Sequence, residues 1–339
     1  MPTLPVDRRA FLGSLCLLPF LRPAGRAQDE PRPKGAFRPS RTGQRYYVEG
    51  NFIADLRTFP LQPRSERGGQ SAYFAMGNTT MEAHLSEIPP GESKRAHRHV
   101  NEAILAIVSG RGYSEIWTDE GGEKHRYDWK DGSLLTVPLN AYHQHFNADP
   151  QSPARYLAIT NVPLMLMLFG TEDFVYANSF AFPKMWDDFF AAQRENVRGR
   201  NWKVQFVEDL RKFPLTQRDF RADASAKFLT GTRTIGAHIS QIPPGKPKPA
   251  HRHINEACIY ILSGQGYTRI YERAGGPEKR YDWKAGSLLS IPLNHYHQHV
   301  NTRSDQPALY LAVTNTPLMY AMIGSKLVHG EEGSERYES

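Results

Sequence analysis

The chain of 339 residues is poor in cysteine, with two, Cys16 and Cys258. Cys16 sits in an apolar run near the amino terminus with Leu15 before it, which fits a lipid-attachment box poorly. Removal of that segment would leave Cys258 alone, so an internal disulfide framework is excluded. The 154-residue counterpart of Cys258 is Ile104, which marks it as a small buried hydrophobe rather than a reactive thiol. No lysine- or arginine-dense stripe with interleaved aromatics occurs, so no nucleic-acid partner is expected. No apolar run reaches the ~20 residues that cross a bilayer as a helix, and long helical periodicities are missing.

The net charge is +7, of which the first 27 residues supply part through Arg8, Arg9, Arg22 and Arg26 against Asp7. Arg8-Arg9 followed by Phe11-Leu12, an apolar run to Leu21 and the small residues of Gly25-Arg26-Ala27 form a cleavable export signal. The paired arginines resemble the twin-arginine type, which exports folded proteins and leads to a periplasmic or secreted location. No membrane anchor is expected after cleavage. Residues 28–45 are rich in proline, arginine and glycine and read as a flexible linker. The remaining composition, 40% hydrophobic and 11% aromatic, is that of a globular protein long enough for two domains.

What the chain does have is a duplicated histidine pattern. His97-Arg98-His99 and Tyr142-His143-Gln144-His145 recur as His251-Arg252-His253 and Tyr296-His297-Gln298-His299 (251 − 97 and 297 − 143 are both 154). Asp55-Leu56-Arg57, Ile88-Pro89-Pro90-Gly91 and Tyr127-Asp128-Trp129-Lys130 repeat at the same offset, so no net insertion has accumulated. The expected organisation is a signal at 1–27, a linker at 28–45, domains at 46–176 and 200–330, a helical connector at 177–199 and a tail at 331–339. Within each repeat, short apolar runs rich in β-branched residues alternate with glycine and proline turns, which predicts antiparallel barrels or jelly rolls. In the connector, Met185, Trp186, Phe189, Phe190 and Ala192 recur at helical spacing and predict an amphipathic helix packed on a barrel.

Side chains two residues apart on a strand share a face, so each histidine pair can enter one cavity. Neutral imidazoles are favoured ligands for divalent first-row metals. Four histidines in two close pairs, repeated at identical spacing, therefore predict a metal site in each repeat. His84 and His238 also match, as inward strand residues. Arg98 and Arg252 should point away from the cavity as ion-pairing residues, Trp129 and Trp283 read as packing, and His295, opposite Ala141, would make the sites unequal.

These motifs resemble the cupin superfamily. Gly91, His97, His99 and Gly110 fit its first motif, and Gly132, Pro138, His143 and Asn147 its second, with Asn140 where glycine is usual. Gly245, His251, His253, Gly264, Gly286, Pro292, His297 and Asn301 fit again. The resemblance implies an all-β bicupin: two tandem double-stranded β-helix (jelly-roll) barrels joined by a short helical connector.

The departure is at the glutamate. Glu102 follows His99 one residue early, with Ala103 at the expected position, and Glu256 and Ala257 repeat this. A one-residue shift along a strand turns a side chain to the other face. Glu102 and Glu256 are additional ligands only if a bulge restores them; otherwise they orient a ligand histidine or face solvent.

The His-Arg-His and Tyr-His-Gln-His-x-Asn segments look like those of the ring-cleaving cupins, the gentisate, hydroxynaphthoate and salicylate dioxygenases. That resemblance implies Fe(II) held by His97, His99 and His143, and by His251, His253 and His297, with Mn(II) or Zn(II) as alternatives. It implies a small aromatic or hydroxy-acid substrate, and makes His145 and His299 the acid/base or substrate-orienting groups. A manganese bicupin of the oxalate decarboxylase kind and a non-catalytic binder of metal or small acids are the alternatives. Cupin sheets often pair at their edges, so a homo-oligomer is expected.

Overall fold

A computed structural model describes residues 46–64, 67–192, 194–218 and 223–324. The expected export signal, linker and tail lie outside the described residues.

Each repeat folds into a two-layered β-barrel. In repeat one the larger sheet runs in the order Tyr47–Glu49, Gln70–Ala75, Glu82–Ile88, Ala154–Thr160, Ala103–Ser109, Leu134–Val137. The opposing sheet is Tyr142–Asn147, Arg111–Trp117 and His125–Lys130. Repeat two reproduces both: Asn201–Lys203, Asp223–Leu229, Gly236–Ile242, Ala308–Thr314, Ala257–Ser263 and Leu288–Ile291 face Lys279–Lys284, Gln265–Tyr271 and Tyr296–Asn301. The β-branched runs are central strands buried on both faces, as Ala103–Ser109 is along nearly its whole length.

The repeats are laced together. Phe52–Ile53 of repeat one pairs antiparallel with Leu288 and Leu289 of repeat two, and Phe206–Val207 of repeat two with Leu134 and Leu135 of repeat one. Each repeat thus closes the other's sheet edge, which an isolated barrel would leave open. One apolar core spans both, from Leu56, Leu85 and Leu134 to Phe228, Ile239 and Leu311.

The connector helix is Pro183–Phe190, with Trp186 and Phe189 buried against repeat one. The Trp186 indole donates to the carbonyl of Leu139 at 2.8 Å. Asn140 explains why glycine is usual at its position, since it holds a left-handed φ of 55°. Asparagine tolerates that region better than most residues. Its amide donates to the carbonyls of Asn178 and Phe180, both at 2.9 Å, and so also anchors the connector. The short helices Val162–Phe169 and Thr316–Ile323, each opened by proline within its first turn, were not legible as helices because their apolar residues run on from the preceding strand.

Candidate metal centre

His143 and His145 alternate on the strand Tyr142–Asn147 and both turn inward, where they are 2% and 4% exposed. His97 and His99 do not share a strand: the segment around them is a loop, tied to His143 by two backbone hydrogen bonds, His97 N to His143 O at 3.1 Å and His143 N to His97 O at 2.8 Å. The rings nevertheless converge. One ligand nitrogen from each of His97, His99 and His143 falls within 4.8 Å of the others, as do those of His251, His253 and His297.

The hydrogen bonds decide which nitrogen faces inward. The Nδ1 atoms of His97, His99 and His143 lie 2.8, 3.0 and 3.1 Å from the carbonyls of Arg95, Asn101 and Ala141. A carbonyl only accepts, so each Nδ1 carries the hydrogen and each Nε2 presents a lone pair. Repeat two repeats the pattern through the carbonyls of Pro249, Asn255 and His295. Three converging lone pairs fixed from behind by carbonyls are the donor set that a divalent transition metal requires, so these residues fit such an ion. Burial, the neighbouring histidines and Arg67 hold His97 and His99 well below the usual imidazole range, and burial lowers His143 to about 4. All three are therefore neutral at pH 7 and competent as ligands.

His145 is wired differently. Its Nδ1 lies 2.7 Å from the Ser114 hydroxyl, whose oxygen already accepts the Trp129 indole N–H at 2.9 Å. The Ser114 hydroxyl can donate to Nδ1 while it accepts the indole N–H, an arrangement that puts the hydrogen of His145 on Nε2. Trp283, Thr268 and His299 repeat this chain at 3.0 and 2.8 Å. Burial, with His143 and Lys94 next, also keeps His145 well below the ordinary imidazole range. His145 and His299 are thus held neutral, each tied through Nδ1 to a hydroxyl. Sequence reasoning took the tryptophans as packing alone. A hydroxyl held at both 114 and 268 was the available signal.

Glu102 and Glu256 are neither metal ligands, nor acceptors for a ligand histidine, nor solvated. Glu102 is 3% exposed and its carboxylate accepts from the backbone N–H groups of Arg233, Thr234 and Ile235 and from the Thr234 hydroxyl, all in repeat two. Glu256 accepts from the N–H groups of Thr79, Thr80 and Met81 and from both threonine hydroxyls, all in repeat one. The one-residue displacement turns each carboxylate out of its own barrel into a loop of the other, where a ring of donors offsets the cost of burying the charge. Arg98 and Arg252 also differ from the ion-pairing expectation: their guanidinium groups lie 4.7 and 4.8 Å from the ring centroids of Tyr142 and Tyr296. His295 contacts no metal group through its ring; its Nδ1 meets the Leu293 carbonyl at 2.9 Å.

The cavity at repeat one measures about 80 Å³ and is walled by Arg64, Arg67, Tyr73, His84, Lys94 and Tyr156, among others. That at repeat two measures about 110 Å³, with Arg200, Arg218, Lys227, His238, Lys248 and Tyr310 in the wall. A larger crevice lies between the connector helix and the loop at 229–233 and includes none of these histidines.

Fold and site together define a bicupin with a three-histidine group in each barrel. The cupin domain model matches residues 84–160 and 238–314, and the chain carries two cupin domains in tandem. It is 24% identical to a 5-aminosalicylate 1,2-dioxygenase of Comamonas sp over 68% of this chain, and spans 63% of that protein's length. Gentisate 1,2 dioxygenase 1 of Aquipseudomonas alcaligenes is 23% identical, with 63% of this chain and 64% of that protein covered. Among solved structures, oxalate decarboxylase of Bacillus subtilis superposes with a TM-score of 0.51 at 16% identity, covering 79% of this chain and 77% of that one. That last likeness shows the fold alone.

Proposed function

We propose that this chain is an exported, non-haem Fe(II) dioxygenase that cleaves the ring of a small aromatic hydroxy acid. The observation that carries the proposal is the all-imidazole donor set, three Nε2 lone pairs with the nearby glutamate turned away. Its similarity to ring-cleaving dioxygenases supports the same reading.

When bound, Fe(II) would supply the one-electron chemistry with dioxygen that phenolic rings do not undergo unaided. His97, His99 and His143 would hold it. The chain's own part is then to bind and orient. His145 directs its Nε2–H at an anionic oxygen of the substrate, held there by Ser114 and Trp129. Lys94 and the nearby Arg67 make the cavity attractive to a carboxylate. The apolar walls from Leu105 and Val162 exclude water from the flat face of a ring. Export, as an element of the proposal, rests on Arg8-Arg9 and the apolar run that follows.

The test is metal analysis of protein recovered from the periplasm, then anaerobic Fe(II) loading and oxygen-uptake assays across phenolic acids. Uptake with at least one hydroxybenzoate is expected. Bound manganese with no uptake on any phenolic acid, and carbon dioxide release from oxalate, would replace this reading with a decarboxylase; cytoplasmic recovery of an uncleaved chain would remove export.

A further inference from the structure

The two cavities keep the same metal-facing floor and differ at the rim. Lys94 and Lys248, Arg64 and Arg218, His84 and His238, Ser86 and Ser240 are the same at both. Three of the exceptions follow one direction. Tyr73 pairs with His84 across neighbouring strands, and its counterpart Lys227 pairs with His238 in the same register. Glu82, in the wall of cavity one, corresponds to Gly236 in the wall of cavity two, and Tyr46 corresponds to Arg200, which lines cavity two. Each of these three exchanges makes repeat two more positive by one charge.

One exchange runs the other way: Gly69 corresponds to Asp223, a wholly buried carboxylate 2.6 Å from Lys248 Nζ and 3.1 Å from Arg218 Nε. With Arg67 matched in the sequence by Arg221, these four exchanges leave repeat two more positive than repeat one by 3 − 1 = 2 charges at the corresponding positions. Lys227 and Arg200 are partly exposed members of the wall of cavity two, while the added acid is locked beneath Lys248.

The aromatic balance shifts as well. Cavity one is bordered by the Tyr73 ring, stacked on His84 at 5.0 Å, and by Tyr176. In cavity two Lys227 replaces that stacked ring.

We infer that the two barrels take different anions: cavity one a flat aromatic monocarboxylate, and cavity two a dianion such as a dicarboxylate, whose second charge is met by Lys227 and Arg200. The first half rests on the dioxygenase reading; the second rests on the rim residues alone. A rim charge near a partly desolvated carboxylate changes affinity about tenfold.

Calorimetric titration of the full chain loaded with Zn(II), which supports no oxygen chemistry, tests this with salicylate and phthalate as probes. His251→Ala with His297→Ala isolates cavity one, and His97→Ala with His143→Ala isolates cavity two. The phthalate-over-salicylate preference should be at least about tenfold higher at cavity two. Lys227→Tyr with Arg200→Tyr should abolish that excess, and Tyr73→Lys should raise phthalate affinity at cavity one. Equal preferences at the two cavities, or a preference unmoved by the rim exchanges, overturns the inference. If either double-histidine variant fails to fold, the rim exchange in the otherwise native chain decides: loss of the tighter phthalate isotherm supports it and an unchanged isotherm refutes it. Failure of every phenolic acid to drive oxygen uptake would remove the dioxygenase reading while leaving this binding measurement intact.

Discussion

Repeats one and two hold the same floor of histidines under different surroundings. Asn140 is 1% exposed and bonded to the connector at Asn178 and Phe180, whereas its counterpart Asn294 is exposed, with Leu293 at 44%. The floor, from the carbonyls behind each ligand to the hydroxyl and indole behind His145 and His299, is nearly superimposable in its contacts. Metal binding depends on the floor and ligand choice on the rim, so the duplication has held one and released the other.

The sharpest way to break this comparison is to empty one floor at a time. His97→Ala with His143→Ala, and separately His251→Ala with His297→Ala, should each remove one of two bound metal equivalents, read by elemental analysis. Whichever pair also abolishes oxygen uptake identifies the barrel that turns over.

The next largest effect falls on the reciprocal glutamates. Glu256→Ala strips a buried carboxylate from donors of Thr79, Thr80 and Met81, and Glu102→Ala does the same to Arg233, Thr234 and Ile235. Each should lower unfolding free energy in urea by about 3–5 kcal/mol. Glu256→Ala should be the costlier, since two hydroxyls rather than one lose their acceptor. A loss below about 1 kcal/mol at both positions would mean that the clamps do not hold the repeats together.

Ser114→Ala removes the group that directs the His145 tautomer without touching a ligand. Metal content should stay unchanged while kcat falls about 10–100-fold, the usual range for such supporting groups. Thr268→Val should do the same only if repeat two turns over, which makes the pair a second reading of the active barrel.

Acid should act through the same histidines. His143 is held at about 4 against an ordinary value of 6.5. The unfolded chain therefore binds more protons between these values, and stability rises with pH across that window. The contribution of His143 is fully present above about 6.5 and is lost as pH falls toward 4, which thermal melts of metal-free protein between pH 4 and 7.5 would record. The smallest effects belong to Arg98→Ala and Arg252→Ala, each costing about 0.5–1 kcal/mol for a guanidinium over an exposed-side tyrosine, equal in the two repeats.

Much of this was legible in the chain because a 154-residue repeat doubles every local signal. The strand pattern, the two cupin domains, the connector helix and the buried Cys258, whose thiol is pushed up to about 12 by burial, all follow from local patterns or from the match between the repeats. What was not legible joins the repeats. A glutamate displaced by one residue could be seen to leave the cavity, but its destination in the other repeat lies far away in sequence. Strand alternation suggested that His97 and His99 point the same way, and they do converge, although through a loop pinned to His143. The short pairings of Phe52–Ile53 and Phe206–Val207 carry no period of their own and are set only by the partner edge.

Those borrowed strands impose an order in time. Leu288 and Leu289, the partners of Phe52 and Ile53, are made more than 230 residues after them, and the donors that satisfy Glu102 also arrive only with repeat two. Until then Phe52–Ile53 has no sheet to join and Glu102 has no donors, while the Leu134–Val137 edge of repeat one waits for Phe206–Val207, and contacts so distant in sequence close slowly. At high concentration during refolding, a neighbouring chain's second repeat offers the same edge, so the expected kinetic by-product is a dimer in which two chains have exchanged halves.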